Sequence, residues 1–530
     1  MPQKQVLVRG ADVIDGTGAA ARRADVLVTS DYIEAVEPPG SLPVNGRTVL
    51  DCEGATLTPG FIDVHSHADN APFLHDDDTS KILQGVTTEI VGNCGFSLAP
   101  RVGEHAAALE SYSLRIFPPI TWRWNTFREL LAAADERGYV TNYAPLVGHH
   151  ALRIAAMGMS DAAPDDRELR VMGELLDEAV QAGAFGLSTG LIYPPGLFAE
   201  THEIECLASR LPQGRLYATH MRGEGRQLQS SIAEAVRVGE HSRRRVQVSH
   251  LKAAGKANWG SMPQALALLD EARARGVDVR HDVYPYTAGS TMLTATLPPY
   301  FQEGGEPNVL RRLQDPESVA RLREDLAADD GSWENQVIGA GWDGIVVASS
   351  VTHRFDGMSI AEIAAEKGAE PFDALVDVLL VEELKVSMIV FSMQEDDLRE
   401  ALRHPLTMVG SDGLPPGVGG KPHPRMYGTF PRVLARYCRE QRMFPVEEAV
   451  RRMTSLPADT FGLADRGSIT PGSAADLVAL DAATVQDRAD YRESTRSPTG
   501  IHWIMQGGTV VARDGRYLGP RAGRRLLPAG

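Results

Sequence analysis

Eight short apolar or β-branched runs, at residues 61–65, 87–94, 142–148, 184–189, 216–220, 246–250, 277–284 and 407–412, are separated by stretches of helical periodicity. Strands that alternate with helices predict a parallel sheet or barrel. One helix is expected over 165–182, where Leu169, Met172, Leu176 and Ala179 recur at helical spacing before Gly183. Another contains Ile232 and Val236 and is expected to stop at Gly239. A chain of 530 residues has room for a (β/α)8 barrel of roughly 250 residues or more, together with insertions.

The polar ends of these runs are more telling than their apolar interiors. His65 and His67 close the first run, Cys94 the second, His220 the fifth, His250 the sixth and Asp412 the eighth. Alternate residues of a strand face the same way, so His65-Ser66-His67 can aim two imidazoles at one ion. Each histidine alone is a weak signal. Together, at the C-terminal strand ends where barrel enzymes build their sites, they predict a metal centre. Thiolate and imidazole suit zinc, although residue type alone does not rank one metal position over another.

Composition narrows the classes further. Lys and Arg total 53 against 70 Asp and Glu, a formal charge of −17, which argues against nucleic acid as a partner. The cluster Arg243-Arg244-Arg245 reads as a solvated approach to a strand. No apolar stretch approaches the 18 or so residues of a membrane span, and Met1-Pro2-Gln3-Lys4-Gln5 opens no signal peptide. Four unpaired-looking cysteines predict no disulfide framework. A cytoplasmic enzyme acting on a small molecule is expected, with the oligomeric state left open.

The chain ends differ from the middle. Val6-Leu7-Val8, Val26-Leu27-Val28 and Thr48-Val49-Leu50 near the start match Ala475–Leu480, 501–505 and Thr509-Val510-Val511 near the end, with Gly-containing turns between them. Both ends are expected to join in one small β-sandwich, residues 1–57 with 465–530, around a barrel at 58–464.

With these motifs in view, the chain resembles the amidohydrolase superfamily and, within it, the N-acyl-D-amino-acid deacylases, or D-aminoacylases. Pro59-Gly60-Phe61-Ile62-Asp63-Val64-His65-Ser66-His67 and the tail Gly467–Val478 carry the superfamily likeness. Gly92-Asn93-Cys94-Gly95, Ser188-Thr189-Gly190-Leu191-Ile192-Tyr193-Pro194-Pro195, Thr219-His220-Met221-Arg222, Ser249-His250-Leu251-Lys252, Asp282-Val283-Tyr284-Pro285-Tyr286 and Ser411-Asp412-Gly413-Leu414-Pro415 carry the narrower one. Hydantoinases and dihydroorotases usually bridge two metals with a carboxylated lysine, whereas D-aminoacylases place a cysteine at the metal.

The resemblance implies a tightly held zinc on Cys94, His220 and His250, and a second, weaker site on His65 and His67 with Cys94 bridging. It implies that Asp412 is the general acid/base of amide hydrolysis. It also implies that Lys252, Arg425, Tyr284 and Ser290 contact the substrate's α-carboxylate and that Tyr193 helps polarise the scissile carbonyl. The glycine-rich loop 416–421 is slightly longer than the family pattern, which loosens the assignment of Arg425. An insertion at 287–350 is expected to form a lid over the site. The side-chain preference depends on how the lid packs around Met292, Leu293 and the glycine-rich segment; aromatic or apolar D-residues are expected ahead of acidic ones.

The activity so implied is release of a free D-amino acid from an N-acyl-D-amino acid, or from a dipeptide with a C-terminal D-residue. Two alternatives remain: a cyclic-amide hydrolase of the hydantoinase or dihydroorotase kind, and a non-catalytic scaffold on the same fold. Cys94 and the lack of an obvious bridging lysine count against the first. The intact set of candidate ligands counts against the second.

Overall fold

The computed structural model describes residues 5–328, 331–414 and 419–529. The eight expected strands form a closed parallel barrel: Phe61–Asp63, Val86–Val91, Asn142–Pro145 continued by Val147–Gly148, Gly186–Gly190, Leu216–His220, Arg245–Val248, Val279–Val283 and Thr407–Val409. The third through eighth pair in parallel in chain order, as do the first three. Leu146 N donates to Val91 O across the break in the third strand. The first and eighth strands meet through the Ser66–Gly413 bridge, with Asp412 N donating to His65 O at 2.7 Å and His67 N to Gly413 O at 3.1 Å. The barrel is therefore closed by the backbone of the residues that end these two strands.

Burial on both faces explains why the barrel strands read as continuous apolar runs; Gly186–Gly190 and Leu216–His220 are buried throughout. The helix Asp166–Ala182 begins at a capping box between Asp165 and Glu168 and ends at left-handed Gly183. The helix expected to stop at Gly239 instead spans Leu228–Ser242. Gly239 serves close packing rather than termination: a Cβ there would lie 2.6 Å from Val246 Cγ2.

Both chain ends enter one sandwich-like sheet of nine strands among the described residues. Thr56–Pro59 pairs antiparallel with Leu477–Leu480. Gln5–Val13 bulges between Val8 and Ala11, where Gly10 has φ +71°, so one edge pairs first with Thr48–Asp51 and then with Thr56–Pro59. The C-terminal tail reaches back to the barrel, where Tyr143 N donates to Arg524 O and Leu526 N to Tyr143 O.

After the seventh barrel strand comes a three-stranded antiparallel sheet of Gly289–Met292, Ser387–Val390 and Ile345–Ser349, with Ser387–Val390 in the middle. Leu293, Phe301, Leu322, Phe355, Ile363 and Leu375 pack with it in a core of their own. The sheet's central strand thus lies well beyond residue 350. Arg244 and Arg245 are spent locally, on Leu211 O and on Asp278.

Candidate metal centre

Six side chains converge at the C-terminal mouth of the barrel. Ligand atoms of His65, His67, Cys94 and Asp412 all lie within 4.8 Å of one another, and so do those of Cys94, His220 and His250. Cys94 Sγ is shared: it is 3.2 Å from His65 Nε2 and 3.5 Å from His250 Nε2. The rings of His220 and His250 have centroids 4.4 Å apart, and those of His65 and His250 4.8 Å. All six residues are buried.

The backbone is bent to achieve this. Cys94, His250 and Asp412 adopt φ values of +53°, +38° and +50°, a region that side chains other than glycine's enter at a cost and that clusters at functional sites. Neighbouring bonds hold the bends. His250 N donates to Asp282 Oδ1 at 2.9 Å, and Asp412 N is fixed on His65 O.

The donor set fits a soft divalent ion such as zinc. Among the described residues neither ring nitrogen of His220 has a hydrogen-bond partner, nor does Nδ1 of His65 or His67, although all are buried; buried polar atoms of this kind are normally satisfied. Burial holds His220 and His250 well below the usual imidazole range, in the neutral form that binds metals. Burial also pushes the Cys94 thiol up, a cost that a bound cation would relieve.

Asp412 is placed differently. Oδ1 is 3.1 Å from His67 Nε2 and 3.4 Å from His65 Nε2, while Oδ2 is 2.8 Å from Arg425 Nη1. Burial disfavours its charge, but Arg425 and His65 outweigh burial and keep the carboxyl well below its usual range. Among the expected substrate contacts, Tyr193, Lys252, Tyr284 and Ser290 line the small cavity of about 50 Å³ over the metal ligands. The Tyr193 hydroxyl accepts from Thr291 Oγ1 at 2.8 Å. Arg425 lines the adjoining larger cavity and donates through Nη2 to Ser290 O. Lys252 and Arg425 are both already engaged with an acid. Residues 415–418 of the glycine-rich loop lie outside the described residues.

Three supporting residues carry no strong sequence signal. Glu224, four positions after His220, has Oε1 2.9 Å from His250 Nδ1 and accepts from Lys252 Nζ, which is itself 2.8 Å from that same Nδ1. Asp282, inside the seventh strand, accepts from Gln247 and from His250 N and stands 3.4 Å from His65 Nδ1. Lys81 lies beneath the mouth, bonded to Asp63, Glu89 and Ser66. Glu224 and Asp282, which reach His250 and His65, are placed as partners that orient metal-ligating histidines are. The spacing of His220 and Glu224 within Thr219-His220-Met221-Arg222-Gly223-Glu224 was the one available clue.

A parallel barrel with Cys and His at its C-terminal mouth, flanked by a sheet from both chain ends, defines a metal-dependent hydrolase of the amidohydrolase type. The profile of the amidohydrolase family matches residues 48–512. D-aminoacylase of Alcaligenes xylosoxydans xylosoxydans is 37% identical over 98% of this chain and 97% of its own. N-acyl-D-glutamate deacylase of the same organism is 37% identical over 96% and 93%. The solved N-acyl-D-glutamate deacylase of Bordetella bronchiseptica, complexed with zinc and a phosphonate mimic of the tetrahedral intermediate, superposes with a TM-score of 0.82 at 35% identity, covering 99% of this chain and 100% of that one. The chain belongs to the amidohydrolase family, in its D-aminoacylase branch.

Proposed function

We propose that this protein hydrolyses the amide bond of N-acyl-D-amino acids with zinc as cofactor, releasing a free D-amino acid. The observation that carries this reading is the pairing of a cysteine-containing ligand cluster with a carboxylate poised beside it. Cys94, His220 and His250 would hold the tighter zinc. His65 and His67, sharing Cys94, would hold a weaker one. When bound, the metal supplies Lewis acidity towards the scissile carbonyl and towards the attacking water.

The rest falls to this chain's own side chains. Asp412 Oδ1 takes the proton from the attacking water and returns it to the leaving nitrogen, so that the amine departs neutral. Arg425 keeps that carboxyl ionised before the transfer. Lys252, Tyr284, Ser290 and Arg425 face the α-carboxylate, and Tyr193 turns its hydroxyl to the acyl oxygen. Glu224 and Lys252 fix the ring of His250.

We take residues 1–57 and 465–530 as the flanking-sheet domain, 58–464 as the barrel and 287–350 as a lid that excludes water; the pairing of both chain ends in one sheet supports the first of these. Ser290 and Thr291 bring that lid to the cavity. All four cysteines are free thiols, and a thiol ligand favours a reducing compartment; we assign the protein to the cytoplasm. No helix among the described residues is long and apolar enough to cross a membrane.

Incubating purified protein with an N-acetyl-DL-amino acid tests the reading. Release of the free D-isomer with the L-isomer left acylated, by a protein carrying about one zinc per chain, is the expected result. Turnover of hydantoin or dihydroorotate without that release overturns it.

A further inference from the structure

Arg115 follows the helix Ala106–Ser113, in the loop after the second barrel strand. It is buried, with 8% of its surface exposed. Among the described residues its Nε has no hydrogen-bond partner, and the groups of opposite sign acting on it are Tyr112 and Glu306. Neither is a counter-ion. Burial pushes the Tyr112 phenol up, so the ring stays neutral, and it meets the guanidinium only through its face, 5.6 Å from the centroid. Glu306 accepts from Ser111 Oγ at 2.7 Å and makes no ion pair with Arg115 among the described residues.

A buried guanidinium with no carboxylate in contact is costly, because it loses water and keeps only a ring face and a charge beyond ion-pair reach in exchange. This one borders a cavity of about 580 Å³. Ile116, Ser290 and Leu414 are walls of that cavity and also of the small cavity above Cys94, His220 and Asp412. A ligand whose amide lies at the metal cluster can therefore extend past Ile116 to Arg115. The intervening walls, Ile116, Phe117 and Met292, are apolar and suit methylene groups. Met292 thus lines the cavity, whereas Leu293 is in the core of the inserted segment.

We infer that Arg115 is a specificity residue that binds a second carboxylate on the substrate, remote from the scissile amide. The inference rests on the deacylase reading above and names its substrate class. The planar fork of arginine matches a carboxylate with two parallel hydrogen bonds. The carboxylate can belong to the D-residue, as in an acidic side chain, or to the acyl group, as in a dicarboxylic monoamide. The chemistry at Arg115 is the same for both.

The test compares kcat/KM within two isosteric pairs: N-acetyl-D-glutamate against N-acetyl-D-glutamine, and N-succinyl-D-leucine against N-succinamoyl-D-leucine. At least one acid is expected to exceed its amide about tenfold or more, the worth of one charge-assisted hydrogen bond, and the pair that does so identifies the source of the carboxylate. Arg115→Met should bring that ratio close to one, and Arg115→Lys should retain part of it. If the Met variant does not fold, the wild type and the Lys variant decide by the same ratio. Ratios near one in the wild type, with N-acetyl-D-leucine turned over, overturn the inference alone, as does a ratio that survives loss of the guanidinium. Failure to turn over any N-acyl-D-amino acid sinks the deacylase reading and this one with it.

Discussion

Asp412 Oδ2 lies 2.8 Å from Arg425 Nη1, while Oδ1 faces His67 Nε2 at 3.1 Å. One carboxylate thus joins the candidate metal ligands to Arg425, the arginine proposed as a substrate contact. In the proposed reaction Oδ1, the oxygen turned to the candidate metal ligands and away from Arg425, is the one that would take the proton.

Asp412→Asn keeps the shape and the contact with Arg425 but cannot accept the proton. We expect kcat to fall by about 10³-fold, with zinc content unchanged because Cys94, His220 and His250 remain. Parallel kinetics and metal analysis check this; near-normal turnover would remove Asp412 from the role of general acid/base.

Arg425→Met should move the pH profile. Arg425 holds the Asp412 carboxyl below its usual range, so its removal raises that pKa. Asp412 must be ionised to take a proton, and the acidic limb of kcat/KM is expected at higher pH in the variant. A limb that stays in place or moves to lower pH would show that a different group governs it.

Glu224→Gln should weaken zinc binding by about 10- to 100-fold, since Glu224 touches His250 Nδ1 and restrains Lys252. Competition with a chelator of known affinity measures the change. An unaltered affinity would make Lys252 alone the partner that orients His250.

Residues at the ends of the barrel strands were legible because alternation and chain order place them: His65, His67, Cys94, His220, His250 and Asp412 each close an apolar run. Glu224, Asp282 and Lys81 were not, since what they do depends on residues opposite them in space. Asp282 lies on the strand paired with the one that ends just before His250, a contact set by sheet pairing and not by spacing along the chain. The strand Ser387–Val390 was equally hidden. It pairs with segments distant in sequence on both sides, and the helices before it have the periodicity of barrel helices.

Lys81 is a case where a hidden residue matters for stability. Its Nζ lies 3.0 Å from Asp63 Oδ2 and 3.1 Å from Glu89 Oε2, all three side chains being buried. Lys81→Met leaves two carboxylates without their cation, which costs about 3–5 kcal/mol. Denaturant unfolding should show that loss, and adding Glu89→Gln should recover part of it. Equal stability of wild type and Lys81→Met would mean that the carboxylates are satisfied without the lysine.

Glu334, from the inserted segment, accepts from Glu224 N and so ties that segment to the loop after the fifth strand. Burial, reinforced by the nearby charge of Glu224, raises its pKa from 4.5 to about 7. In the unfolded chain this carboxyl releases its proton near its ordinary value, whereas the folded protein retains it to about pH 7. Between those two values the folded state binds more protons, so this group's contribution to stability declines as pH rises and is constant above the upper value. Glu334→Gln imitates the protonated form and removes the dependence. The difference in Tm, wild type minus variant, should therefore be greatest near pH 4.5 and shrink towards pH 7. A difference that instead grows with pH would mean that the backbone donors of Glu224 and Gly225 stabilise the ionised carboxylate more than burial opposes it.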